Sequence, residues 1–401
     1  MSSFANLKRQ SGNLDKLAKA VEALSTSSEG SDKPDNYWKP VVDKAGNVYR
    51  NGQITNDVVT GNYVDKSGMV YDDFGNPISA AQTIRNVIEQ GVLADSLGLD
   101  NFNIGEHHRD DFAVSAPDTV LAGLATRTTK IGLGSGVTVL SSDDPVRVYQ
   151  RFATIDALSN GRAEITAGRG SFIESFPLFG YELSDYSVLF EEKLQLLAEI
   201  LREKPVTWSG ATRAPLSNQQ VYPKTERGHI PLRVGVGGTP ESVVRAARIG
   251  AQLALAIIGG DPARFAPFAT LYKEALAEFK QPSLPISIHS PGHISDTDEG
   301  AIEEQWPHYF TMFGRIGRER GWGPTTKEHF LNEVRHGSMY VGSPETVARK
   351  IAHAITSVGV QRFDFKYANG PMPHSKLMKS IELYATKVVP RVRDLVAEKV
   401  A

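Results

Sequence analysis

Glu106-His107-His108 sets a carboxylate beside two imidazoles, the side chains that move protons near neutral pH. Adjacent side chains at a strand end point to different sides, and the run is not His-Glu-x-x-His. The spacing therefore favours a proton-handling His107 over a zinc ligand. Gly168-Arg169-Gly170-Ser171 is a glycine-broken polar turn carrying a cation. Gly237-Gly238-Thr239-Pro240-Glu241-Ser242 is a glycine turn that runs into a helix start. Free N–H groups and the positive dipole end make that start a phosphate seat, with the Thr239 and Ser242 hydroxyls as extra donors. Ordinary capping accounts for such a turn when it stands alone, and Arg169 from a neighbouring strand end tips the reading towards phosphate. His289 and His293 flank Pro291-Gly292 and share no helical face, so no metal site is expected. Gly134, Gly136 and Val137 permit close approach of a flat ligand, or serve a tight interior that needs small residues. Arg318-Glu319-Arg320-Gly321-Trp322 reads as a solvated helix end.

These groups need a scaffold that gathers strand ends, and the chain predicts one. Asp144 can cap a helix that starts at Pro145, with Val148, Phe152 and Ile155 on one apolar stripe and Asn160-Gly161 closing it. Strands predicted at Ile131–Leu140 and Arg162–Ala167 flank that helix as a βαβ unit. Further strands are predicted at Asn101–Ile104, Leu232–Val236, Leu253–Ile258, Leu284–His289 and Arg362–Tyr367. Helices alternate with them from Ala80–Leu97 to Lys376–Ala397, with an irregular, partly helical stretch over Asp296–Arg335. Seven strands each followed by a helix fit an α/β fold of the (β/α)8 TIM-barrel type, in which residues after each strand crowd onto one rim. The first strand is the weak point, left to Val58–Val64 or to the second of two hairpins. Those hairpins are an internal echo, VDKAGNVYRNG at Val42–Gly52 and VDKSGMVYDDFG at Val64–Gly75. A short amphipathic helix is predicted over Leu14–Leu24. The division is an N-terminal extension, 1–57, and a barrel, 58–401.

The 401 residues hold 40% hydrophobic and 22% charged side chains, the balance of a globular domain that buries a large core. A net charge of -2 gives no electrostatic pull towards nucleic acid or membrane surfaces. There is no cysteine, which removes disulfides, thiolate metal sites and Cys nucleophiles. No apolar run is long enough to span a bilayer and no signal-peptide core is seen, so a cytoplasmic protein is expected.

Glu-His-His, VTVLSSDDPVR, LSNGR, GRGSF…FG, GGTPES, VGSPETVARKI and the IELYATKVVP helix together resemble the bacterial luciferase-like flavin monooxygenases, over about residues 79–398. The resemblance implies a barrel that binds reduced FMN at its C-terminal rim, supplied by a separate flavin reductase that uses NAD(P)H. It implies His107 as the catalytic residue and a non-proline cis peptide near Gly136-Val137, under the flavin ring. Phosphate contacts fall on Arg169, Gly238, Thr239 and Ser242, with Ser171 beside them. It further implies O2 and a small organic molecule as co-substrates, and a homodimer. An F420-dependent hydride-transfer reductase on the same fold is the nearest alternative, though its longer acidic tail calls for more cations than Arg169. Residues 1–47 resemble the start of T4-type phage single-stranded DNA-binding proteins, which raises a nucleic-acid-binding alternative. The first 50 residues carry 8 Lys/Arg against 6 Asp/Glu, a poor phosphate attractor.

Overall fold

The computed structural model describes residues 14–27, 40–42, 48–50, 70–72, 76–170 and 172–400. The chain opens with the helix Leu14–Ser27, whose Leu17 and Val21 join the main hydrophobic core. That helix packs on the outside of the helices Pro240–Arg248 and Ala266–Glu278. Two short antiparallel ribbons follow, β1 (Pro40–Val42) with β2 (Val48–Arg50), and β3 (Val70–Tyr71) with β4 (Pro77–Ile78). The first ribbon flanks the predicted turn at Asp43-Lys44. The second closes between Asp72 and Asn76, where the Asp72 carboxylate accepts from the Asn76 backbone N–H at 2.8 Å; the turn predicted at Asp65-Lys66 lies outside the described residues.

From Ser79 onward strands and helices alternate as predicted. Ser79 caps the helix Ala80–Ser96, which leads into β5 (Asn101–Ile104). The strand predicted over Ile131–Leu140 is broken into β6 (Gly132–Ser135) and β7 (Thr138–Val139), joined by a cis Gly136–Val137 peptide. Asp144 accepts from the Val146 and Arg147 N–H groups and starts the helix Pro145–Leu158, with Val148, Phe152 and Ile155 buried. Next come β8 (Ala163–Gly168), the helix Tyr186–Ile200, and an antiparallel pair β9 (Val206–Trp208) and β10 (Leu216–Gln219). β11 (Leu232–Val236), β12 (Gln252–Ala256) and β13 (Ile286–Ile294) extend the parallel sheet. β14 (Tyr340–Gly342) pairs with the far end of β13, and β15 (Arg362–Lys366) pairs along its first half.

Two segments differ from the sequence reading. Asp296–Arg335 is not irregular: it forms the 23-residue helix Asp298–Arg320 and the helix Lys327–His336. Thr297 and Gly321 cap the longer helix, so it runs through Pro307 despite the donor lost there. The barrel is also not closed. Among the described residues the parallel sheet is a half-barrel of seven successive positions, β5-β6-β8-β11-β12-β13-β15, and β7 on β8 and β14 on the far end of β13 bring it to nine strands. The described part of the second hairpin supplies no strand to it, since β3 and β4 pair only with each other; Val58–Val64 lies outside the described residues. β5 and β15 instead line a cavity of about 340 Å³, walled by Phe102, Phe363, Phe365 and Tyr384. Polar side chains bridge the interior at this open side. In the amide orientation its neighbours dictate, Asn103 donates to Glu164 at 3.1 Å and accepts from Arg362 at 3.1 Å. No helix among the described residues is long and apolar enough to cross a membrane.

Candidate active site

The strand ends gather at one rim, and Glu106-His107-His108 divides there. Glu106 turns one way, accepting from the Val139 N–H at 2.9 Å and pairing with His108 Nε2 at 2.8 Å. His107 turns the other way into an aromatic nest. Its ring lies 4.1 Å from Phe112 and 5.1 Å, edge-on, from Phe172. The imidazole is 7% exposed, and its buried Nε2 has no hydrogen-bond partner in the protein. Burial, followed by the charges of Lys366 and Arg109, holds its pKa well below the ordinary histidine value. At neutral pH the ring is uncharged, with one nitrogen to offer a bound molecule.

Around the nest the chain spends its charge on rigidity. Arg109 binds Asp111 at 2.7 Å, Glu174 at 2.6 Å and Glu319 at 2.9 Å, and lies 4.5 Å over Phe172. It thereby ties the β5 loop to the Asp298–Arg320 helix. Arg318–Trp322 is the predicted helix end, with Arg318 and Trp322 exposed, but Arg320 turns inward: it is 7% exposed and sits 5.1 Å over Phe172. Met312 and Ile316 of the same helix pack with Phe112 and Phe172 and exclude water from the imidazole.

The floor of the rim is made of small residues. Val137, just past β6, rests against Gly168 and Gly235, where an added Cβ would stand 2.4 Å and 3.1 Å from its methyl carbons. Close approach explains both glycines.

The glycine turn predicted as a phosphate seat runs into the helix Pro240–Arg248, with a further cation, Arg245, beside it. Gly238 adopts φ 109°, and Thr239 begins the helix Pro240–Arg248 without making a side-chain cap bond. Thr239 Oγ1 donates to Ser242 Oγ at 2.7 Å, and Arg245 Nη1 donates to that oxygen at 3.2 Å. Arg245 is close enough to Arg169 for the two charges to repel. Glu191 from the Tyr186–Ile200 helix pairs with both Arg245 and Arg248. Arg169 stacks 5.3 Å from the Tyr186 ring, and Tyr186 donates to the Gly170 carbonyl at 2.8 Å. Ser171 lies outside the described residues. Arg245 escaped the sequence reading because it stands one helical turn past the loop, although its i+3 spacing from Ser242 was a usable signal.

Other side chains at the strand ends are taken up by partners within the protein. Tyr367 donates to Gln90 at 2.9 Å, and His293 pairs with Glu304 at 2.8 Å. Asp143 pairs with Arg151. Among the described residues, no group of three or more His, Asp or Glu side chains is arranged to hold a metal ion.

The model of the luciferase-like monooxygenases matches residues 68–362. The chain belongs to that family. It is 31% identical over 189 residues to N-acetyl-S-alkylcysteine monooxygenase of Bacillus subtilis (strain 168), a match that covers 45% of this chain and 53% of the relative. The chain thus spans about half the length of that relative. Two solved structures share the fold. One is the oxygenating constituent of 3,6-diketocamphane monooxygenase of Pseudomonas putida in complex with FMN, at TM-score 0.64 and 18% identity over 81% of this chain and 98% of that one. The other is the coenzyme F420-dependent tetrahydromethanopterin reductase of Methanopyrus kandleri, at TM-score 0.60 and 19% identity over 77% of this chain and 96% of that one. The luciferase-like family is one of oxidoreductases, with FMN-dependent and F420-dependent members.

Proposed function

We propose that this chain is a flavin-dependent monooxygenase that uses reduced FMN and O2 on a small organic substrate. The observation that carries the reading is a shared rim: a neutral, buried His107 with an unpartnered Nε2, and a phosphate-shaped seat of Gly238, Thr239, Ser242, Arg169 and Arg245. A flavin mononucleotide has a flat ring and a dianionic tail, and the small-residue floor at Gly136-Val137 suits the ring. Reduced flavin, when bound, supplies the electrons that activate O2. The protein's own contribution is placement, water exclusion and proton handling. Arg169 and Arg245 would hold the phosphate by charge-assisted hydrogen bonds, and Ser242 would donate its hydroxyl. Phe112, Phe172, Met312 and Ile316 keep water from the imidazole, and His107 Nε2 holds or delivers the proton beside the reacting atoms. A separate flavin reductase using NAD(P)H would recharge the cofactor, and the enzyme would work as a homodimer.

F420-dependent hydride transfer is the second reading. Arg248 beside Arg245 adds to the cations at the tail end, which favours it, but Glu191 neutralises one charge of that pair. The remaining charge matches a phosphate better than a longer acidic tail. Anaerobic titration with reduced FMN and with reduced F420 decides between the two, followed by admission of oxygen. Tight FMN binding and oxygen consumption that falls in His107→Ala support the monooxygenase; binding of F420 alone sinks it. The nucleic-acid reading has less support, because Leu17 and Val21 of the N-terminal helix are buried against the core. Salt-sensitive anisotropy with labelled single-stranded DNA, lost on removal of residues 1–55, is the result that would revive it.

A further inference from the structure

The helix Asp298–Arg320 closes on a left-handed glycine that sets an indole beside a hollow. Gly321 takes φ 68°, and the Trp322 N–H donates back to the Gly317 carbonyl at 2.8 Å. That turn fixes Trp322 although 38% of its surface stays exposed. The hollow is a cavity of about 370 Å³, lined among others by Ile258, Tyr309, Phe313, Trp322, Glu333 and Met339. Small-molecule sites span roughly 300–1,000 Å³. Ile258 stands two residues past the end of β12, so the cavity lies at the rim. Ile258 and Phe313 also pack against the cluster of Phe112 and Phe172, so one wall is shared with the His107 nest.

Glu333 puts a carboxylate into this largely aromatic lining. Its Oε2 accepts from the Gly260 N–H at 3.0 Å and from the Ser338 N–H at 3.3 Å, which fixes the group. Its Oε1 accepts nothing among the described residues and is not sealed from solvent. Lys350 does not neutralise it by contact. That ammonium donates to the Glu333, Val334 and Met339 carbonyls, at 3.2, 2.7 and 2.7 Å. The Glu333 charge is felt among the rings: after burial, it is the second cause that raises the pKa of the Tyr309 hydroxyl. The cavity thus pairs three aromatic side chains with one fixed, open acceptor.

We propose that this cavity seats the substrate by a planar aromatic ring that carries an O–H or N–H donor. As a substrate class this rests on the flavin reading given above; as a binding site it stands on the cavity alone. Stacked and edge-on contacts with Tyr309, Phe313 and Trp322 favour a flat ring over a saturated one. A donor on that ring makes a charge-assisted hydrogen bond to Glu333 Oε1. A methyl ether of the same shape cannot make it, and an aromatic acid brings a second negative charge.

The test is calorimetric titration of wild type, Glu333→Gln and Trp322→Ala with 2-naphthol, 2-methoxynaphthalene, decahydro-2-naphthol and 2-naphthoate. Wild type should bind 2-naphthol about tenfold more tightly than the ether, the loss of one hydrogen bond to a charged group. The saturated alcohol and the acid should bind more weakly still. Glu333→Gln keeps an oxygen for the two backbone N–H groups and should shrink the gap between naphthol and ether below about threefold. Trp322→Ala, a change at the surface, should weaken naphthol and ether alike. Melting temperatures report that both variants fold. Equal binding of naphthol and ether by wild type, tighter binding of the acid, or no binding overturns the proposal without touching FMN uptake. Selective binding of 2-naphthol by a protein that takes up no FMN keeps the site and removes the flavin reading. A bound naphthol that is neither converted nor alters oxygen consumption with reduced FMN overturns the substrate role.

Discussion

Arg362 reaches across the interior from β15 and grips the Glu164 carboxylate of β8 with both terminal nitrogens, at 2.9 Å and 2.7 Å. These strands stand at the seventh and third places of the sheet, so the pair ties one edge of the open half-barrel to its middle. Arg233 and Asp364 complete the buried network, and Arg362 also donates to Asp364 at 2.8 Å. Arg362→Met leaves the Glu164 charge short of a partner in a site where it is 8% exposed. Breaking one side of a buried pair costs about 3–5 kcal/mol. Urea unfolding should show a loss of that size, whereas a loss below about 1 kcal/mol, the scale of a surface pair, would mean that the network does not brace the sheet.

Acid should destabilise the protein in two stages. His308 is held down at about 4, chiefly by burial, so between its unfolded value and 4 the unfolded chain binds more protons than the folded one. Stability is then lost as pH falls from about 6.5 towards 4. His107, whose pKa is depressed mainly by burial, adds to the same window. Glu304 is lowered to about 2, first by its hydrogen bond with His293 and then, against the cost of burial, by Lys376. A depressed carboxylate contributes stability above its unfolded pKa, and that part fades as pH falls from about 4.5 to 2. Melting temperature measured from pH 8 to 3 should therefore decline from about 6.5, and His308→Gln should remove part of the first stage. A flat profile down to pH 4.5 contradicts the assignment.

His107→Gln keeps a polar side chain of similar reach but cannot shuttle a proton in the same way. General acid–base groups contribute about 10²–10⁴-fold, so turnover with saturating reduced FMN should fall within that range. FMN affinity should change by less than about threefold, since the imidazole neighbours the reacting atoms and not the phosphate. Stopped-flow turnover beside equilibrium titration separates these effects, and equal losses in both would recast His107 as a binding residue.

What the sequence made legible was chemistry at strand ends. Glu106-His107-His108, the Arg169 turn and Gly238-Thr239-Ser242 announce themselves because glycine, hydroxyl and imidazole groups cluster where a strand stops. Arg245 was missed because it sits inside a regular element, where a lone charge reads as a solvated face. Only the partners of Arg362 and Asp364 reveal that the charged face of β15 is the inner one. The Asp298–Arg320 helix was obscured by Pro307, Gly314 and Gly317, and its burial against the His107 nest depends on contacts more than two hundred residues apart. The expectation of a closed barrel came from counting βα repeats, and a count cannot say whether the first strand is present.

Arg245 makes the phosphate seat testable by subtraction. Riboflavin carries the ring of FMN without the phosphate, so a residue that holds only the tail should leave riboflavin affinity untouched. Arg245→Gln should weaken FMN about tenfold, the loss of one charge-assisted hydrogen bond, and shift riboflavin by less than twofold. Glu191→Gln frees Arg245 from its carboxylate partner and should tighten FMN. Fluorescence quenching titrations with FMN and riboflavin read these constants, and parallel losses for both ligands would place Arg245 in the scaffold.

Val137 and Gly168 offer a steric test of the floor. The Cβ of Gly168→Ala would stand 2.4 Å from Val137 Cγ2, far inside van der Waals contact, and both neighbours lie in buried backbone. Overpacking of this kind costs about 1–3 kcal/mol and displaces the side chain that meets the proposed ring. Gly168→Ala alone should therefore lower the melting temperature and weaken oxidised FMN and riboflavin alike, the opposite signature to Arg245→Gln. Val137→Ala removes the two methyl groups that the new Cβ strikes and leaves only its own Cβ, 2.9 Å away, so the double variant should recover part of the lost stability. Recovery of ring binding along with stability ties the floor to the ligand. If Gly168→Ala leaves both FMN and riboflavin binding intact, Val137 does not lie beneath the ring.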